Sequence, residues 1–195
     1  RYPWQRFEPH PEWATYDEED SLGLDGCRWI WFPEGNPVED APVDRRYFRA
    51  SFDLPEGQTA AAATLRMSAA DACVAYINGD EVGEARSWRT GTHVGGLAAR
   101  LRPGRNVLAI RAENGQAPVE KNPAGLVACL EIRLRNGEVR RIESSAEWRC
   151  AESEAPGWAA NDFDDTAFEA AMELGPYGMV PWGTLADHSP YEVPY

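Results

Sequence analysis

Lysine is almost absent from this chain: Lys121 is the only one, so arginine supplies nearly all of the 19 basic residues, which face 32 Asp and Glu for a net charge of −13. Phosphate binding relies on a basic patch, so this balance argues against nucleic acid or an anionic membrane surface as a partner. Long apolar runs are also missing. None approaches the ~20 residues of a membrane helix, and no basic-then-apolar leader pattern opens the sequence at Arg1, so no membrane insertion is expected. A start on Arg1 rather than Met leads us to expect a processed or excised segment.

Catalytic signals are equally scarce. His10, His93 and His188 stand alone among Pro, Gly, Thr or Ser, and no HxH or HExxH spacing suggests a metal. No GxSxG elbow presents a serine, and neither GxGxxG nor GxxxxGK[ST] is there to cradle a phosphate. Cys27, Cys73, Cys129 and Cys150 form no CxxC pair. Their even number leaves buried thiols and bridges both open, with three pairings for two bridges. Cys27 and Cys150 flank aromatic strand segments near the two ends of the patterned region, so a Cys27–Cys150 bridge is expected if the terminal strands are neighbours.

What is present is alternation. In LVACLEIRL, Leu126, Ala128, Leu130, Ile132 and Leu134 share one side of an extended chain, and Val127, Cys129, Glu131 and Arg133 share the other. Asn136-Gly137 then supplies a hairpin turn into Val139–Ser144, and VAYINGDEVG repeats the grammar around Asn78-Gly79. Further strands are expected at Cys27–Phe32, at Phe48–Leu54 with Tyr47, Arg49, Ser51 and Asp53 on the outer side, and at Asn106–Glu113. The alanine run Ala60–Ala63 leads into another strand. The expected fold is an all-β antiparallel β-sandwich with one short helix near the C-terminus, over Thr166–Leu174. There Thr166 and Glu169 have capping-box spacing behind Asp162, Asp164 and Asp165.

The expected organisation is an extended arm over 1–26, a sandwich over 27–183 and a linker or tail over 184–195. Tyr2, Trp4, Phe7, Trp13 and Tyr16 are too many aromatics for a solvated arm, so part of it should lie on the sandwich. The 162–165 acidic run lacks the ligand series of an EF-hand. A structural calcium held by one of its aspartates and loop carbonyls would leave no linear motif, and no other cofactor is expected.

Two loops are longer than hairpin turns require, Arg86–Thr92 and Asn114–Asn122, and they carry the groups a sugar needs. Trp88 offers an apolar platform, Arg86, Arg89 and Lys121 are donors, and Asn114 and Asn122 donate and accept. Packing is expected for Trp29 and Trp31, on one strand face, and for Trp148, Trp158 and Trp182.

WIWFPEG, YFRASFDLP, AYINGDEVG, LRPGRNVLAIRAEN, NPAGLVACLEIRLRNGE, SSAEWRC and GWAANDFDDTAFEAAMELGPYGMVPWG occur in this order. Over about Cys27 to Gly183 the chain resembles the β-sandwich domains that accompany bacterial α-L-rhamnosidase-like glycoside hydrolases. Its YINGDEVG and GRNVLAIRAEN segments are similar to galactose-binding-domain-like domains of β-galactosidase-type enzymes. Phe168 stands where the DDxxW stretch of this resemblance has tryptophan, a change expected to affect packing rather than binding. The resemblance implies a jelly-roll module, non-catalytic in itself, of a secreted or periplasmic polysaccharide-degrading enzyme, with a poly- or oligosaccharide and a neighbouring domain as partners. A carbohydrate-binding or accessory module, a structural spacer against a catalytic domain and a small glycoside hydrolase remain three separate readings.

Overall fold

Apolar side chains at every second position make a strand that must bury one face. In the computed structural model, which describes residues 23–187, thirteen strands pair into two sheets. The first sheet is built around β8 (Leu126–Leu134). One side of β8 pairs with β3 (Ala60–Ala69), and the other with β1 (Arg28–Trp31) and β9 (Val139–Glu143). Outward lie β12 (Met172–Pro176) on β1 and β6 (Thr90–Val94) on β3, with β13 (Ala186–Asp187) joining β6 in parallel. The second sheet pairs β2 (Asp44–Leu54) with β7 (Gly104–Asn114) in unbroken antiparallel register. It continues through β4 (Ala72–Ile77) to β5 (Asp80–Ala85) on one side, and through β10 (Arg149–Ala151) to β11 (Glu169–Ala170) on the other.

The space between the sheets is filled by the residues that alternation selects, among them Phe48, Leu65, Met67, Leu108, Ile110, Leu130 and Ile132. The strands expected from the alanine run and from both hairpins are present. At the first hairpin Asn78 (φ 53°) and Gly79 (φ 95°) both take the positive φ such a turn needs, while at the second only Gly137 (φ 89°) does.

Four expectations are corrected. The helix over Thr166–Leu174 does not form. Phe168 N–H closes a turn on Asp165 O at 2.9 Å, after which the chain runs extended as β11 and then crosses to the first sheet as β12. Nine residues are too few to hold a helix by themselves, and the extended path buries Phe168 and Ala171. Asp164 does cap a backbone group, Thr166 N–H at 3.1 Å, but of that turn.

The outer faces are not solvent faces throughout. Tyr47, Val107 and Ala109 of the second sheet lie with Trp158 and Phe168, and the buried Arg49 is clamped there by Asp165 Oδ2 (2.9 Å) and the carbonyls of Trp158, Ala160 (3.0 Å) and Phe163 (3.5 Å). Val127 and Cys129, on the side of β8 expected to be polar, are buried against Leu24, Cys27, Trp182 and Leu185. Trp29 and Trp31 do not share an environment. A bulge between Trp29 and Ile30 in the pairing with β12 sends Trp29 to this outer cluster while Trp31 stays in the core.

Nor do Cys27 and Cys150 form a pair. Cys27 leads into β1 of one sheet and Cys150 lies in β10 of the other, and all four cysteines are buried. Trp148, Trp158 and Trp182 are packed as expected, and Phe168 fills its place against Phe163, edge-on at 5.5 Å. The arm's aromatics Tyr2 to Tyr16, together with His10 and His188, fall outside the described residues.

Candidate functional site

At one end of the sandwich the β5–β6 loop, the β7–β8 loop, the β3–β4 turn and the segment after β12 enclose a cleft of about 240 Å³. The two loops singled out in the sequence meet there. Trp88 comes from the first, and Lys121 and Asn122 come from the second.

Each loop is held by hydrogen bonds to neighbouring segments as well as within itself. Ser68 Oγ–H donates to Ser87 O (3.0 Å) and Ser87 Oγ accepts Arg89 N–H (3.1 Å), which sets the turn that presents Trp88. The β7–β8 loop is stitched to the 36–41 turn: Asn122 N–H donates to Asp40 Oδ1 (2.9 Å) and Ala41 N–H to Asn122 O (3.0 Å). Beneath both, the buried Asn114 donates its amide to Ala41 O and Pro42 O at 3.1 Å each. Asn114 is therefore a strut under the loop rather than part of the cleft wall.

The floor is aromatic. Trp182 stacks on Trp29 with centroids 4.4 Å apart, and Gly125 makes room for both, since a Cβ there would lie 2.8 Å from the Trp182 ring and 2.9 Å from Trp29. Arg89 places its guanidinium 4.9 Å from the centre of the Trp88 ring. Trp88 is half-buried, packed against the cluster that holds Trp29 and Trp182, and the part of its ring left exposed borders the cleft. Asp71, in the β3–β4 turn, accepts Gly115 N–H at 2.6 Å, and Asn122 donates to Gly115 O at 2.8 Å. Lys121 Nζ reaches Glu39 at 2.9 Å, and this bond holds the exposed ammonium above its ordinary pKa.

Of the six residues expected at the site, Trp88, Lys121 and Asn122 line the cleft, Arg89 stacks behind Trp88, and Asn114 supports from below. Arg86 turns away and forks onto Glu84 (2.9 Å twice), beside a different surface depression. Sequence reasoning missed Asp71 and Trp182. Both come from segments remote in the chain from the two loops, and Trp182 reads as a packing residue by its pattern. Asp71 is the single carboxylate among the described residues lining the cleft, whereas glycoside hydrolysis by the usual route needs two.

The cleft is smaller than the roughly 300–1,000 Å³ of drug-sized pockets, and combines apolar walls with a few polar groups that would fix one orientation of a small ligand. No protein-family model matches the chain. A Streptomyces avermitilis α-L-rhamnosidase is 36% identical over 174 residues, 86% of this chain but 16% of that protein. The chain is homologous to part of a rhamnosidase. A crystal structure of a Streptomyces avermitilis α-L-rhamnosidase complexed with L-rhamnose superposes with a TM-score of 0.76 at 34% identity, covering 84% of this chain and 16% of the other. A Pleurotus ostreatus lectin in complex with GalNAc superposes with a TM-score of 0.75 at 25% identity, covering 84% of this chain and 47% of the lectin. The rhamnosidase-like sandwich thus spans about a sixth of its curated relative, and its fold is shared by a sugar-binding protein.

Proposed function

We propose that this sandwich is a non-catalytic carbohydrate-binding or accessory domain of a rhamnosidase-like glycoside hydrolase, and that the sugar sits in the cleft between Trp88 and Asn122. One observation carries the reading: an indole, an amide, a carboxylate and an ammonium converge on an apolar-walled cleft of about 240 Å³, at one end of a fold shared with a rhamnosidase segment and a lectin. The pyranose C–H face packs on the part of the Trp88 ring that borders the cleft, and Asp71, Asn122 and Lys121 take its hydroxyls. Secretion, a galactose-binding-like jelly-roll topology and action beside a catalytic domain on a polysaccharide belong to the same proposal.

Intrinsic tryptophan fluorescence titrated with L-rhamnose and N-acetylgalactosamine, followed by a glycan array, tests it. A saturable change with at least one sugar is expected. The spacer reading is favoured by the exposed apolar Val119 and Val180 at the rim, 56% and 81% accessible, which a neighbouring domain would cover. It predicts a flat titration with every glycan.

A further inference from the structure

Away from the cleft, two thiols face each other on the outer side of the first sheet. Cys27, at the entrance to β1, Cys129, in the middle of β8, and Glu143 at the end of β9 bring two sulfurs and a carboxylate oxygen within 4.8 Å of one another. Both cysteines are closed off from solvent, 1% and 0% accessible, and pack with Leu24, Val127 and Leu185.

Two sulfurs and a carboxylate suit either a thiophilic cation or a covalent bridge between the sulfurs, and the surrounding charge separates the two. Arg141 donates its Nε–H to Glu143 Oε1 at 2.7 Å, so that carboxylate already has its counter-ion. A second guanidinium, that of Arg66, also acts on Cys129. Arg141 and Arg66 are matched by Glu143 and Glu131, so the nearby carboxylates leave no surplus negative charge to draw in a divalent cation, and the two facing sulfurs fit a bridge. The hydrogen bond from Cys27 holds the Cys129 thiol below its ordinary range, with Arg141 and Arg66 adding to it, against burial and the neighbouring Glu143 carboxylate, and the same bond, with burial, raises Cys27. Cys73 and Cys150 differ: burial pushes each of them up to about 12, the condition of inert packing thiols.

We propose that Cys27 and Cys129 are the sulfurs of a native disulfide that fastens the N-terminal edge of the sandwich to β8. The oxidant is a small disulfide such as oxidised glutathione. The Cys129 thiolate attacks one of its sulfurs, breaking that S–S bond and releasing one glutathione thiolate. Cys27 then loses its proton and attacks the Cys129 sulfur of the mixed disulfide, forming the protein bridge and releasing the second glutathione. Two protein thiols are oxidised and one glutathione disulfide is reduced to two thiols. Because both sulfurs are buried, exchange takes place while the segment preceding β1 is lifted. That segment is held to β9 by the Arg141 guanidinium, which donates to Gly23 O (2.7 Å) and Asp25 O (3.0 Å).

The test is to refold the reduced chain in a glutathione redox buffer, block residual thiols with iodoacetamide and map the peptides without reduction. The expected result is one cross-linked pair joining the Cys27 and Cys129 peptides, with Cys73 and Cys150 alkylated. The bridge closes a loop of about one hundred residues, so dithiothreitol should lower the melting temperature of the wild type by roughly 5–10 °C. The melting temperature of Cys27→Ser should not respond to dithiothreitol. Alkylation of both Cys27 and Cys129 in the refolded protein would overturn the proposal, and so would a bridge from either to Cys73 or Cys150. Native mass spectrometry of the reduced protein with zinc supplies a further check: one tightly held zinc that blocks alkylation of Cys27 and Cys129 would assign the cluster to a metal instead.

Discussion

Gly125 lets the Trp29 and Trp182 rings lie against the backbone because it has no side chain. A methyl group there meets two stacked indoles at 2.8 and 2.9 Å, so the Trp29–Trp182 stack must shift to admit it. Gly125→Ala is therefore expected to lose about 1–3 kcal/mol in urea unfolding and to weaken sugar binding as well. Unchanged stability would show that the indoles repack freely. The buried Arg49 makes a complementary case. Removing it strands Asp165 and the carbonyls of Trp158 and Ala160, so Arg49→Ala should cost about 3–5 kcal/mol, while Arg86→Ala, which breaks an exposed pair with Glu84, should leave the unfolding midpoint unchanged. Equal effects of the two would contradict the burial assigned to Arg49. At this scale the sequence showed which residue types a sugar needs, and Trp88, Lys121 and Asn122 do converge. It could not show that Asp71 arrives from another turn, because that depends on how loops distant in the chain are brought together, and Arg86 is drawn off by a local bond to Glu84 that competes with the site.

Elements were legible wherever alternation ran against a single core. Leu130 faces the space between the sheets and Arg133 is exposed, so Leu130→Asp should destabilise by several kcal/mol or abolish folding. Arg133→Asp should be nearly silent in the same melt, and comparable losses would overturn the facing of β8. The pattern was misleading where a second layer covered the strands. Tyr47 and Arg49 lie on the side of β2 that looked solvent-facing, and it is the 152–168 segment that buries them. The capping-box spacing at Thr166 and Glu169 was a real local signal that tertiary pairing overrode, since β11 and β12 give that stretch sheet partners that a two-turn helix would forgo. One bulge was enough to separate Trp29 from Trp31, and nothing in WIWF marks it.

For the whole molecule, the two sheets form a scaffold whose loops gather at one end around an apolar cleft, while the strongly acidic surface disfavours anionic partners and is compatible with a neutral sugar. The homology spans a rhamnosidase segment rather than a whole enzyme, and the proposed role of the cleft is sugar recognition. The most direct test is isothermal titration calorimetry of the wild type and of Trp88→Ala with the sugar that gives the strongest fluorescence response. Saturable binding of about one sugar per chain is predicted, weakened at least about tenfold in Trp88→Ala, with a melting temperature within about 2–4 °C of the wild type. Equal affinity in the two proteins, or no heat from the wild type with any glycan, would contradict it.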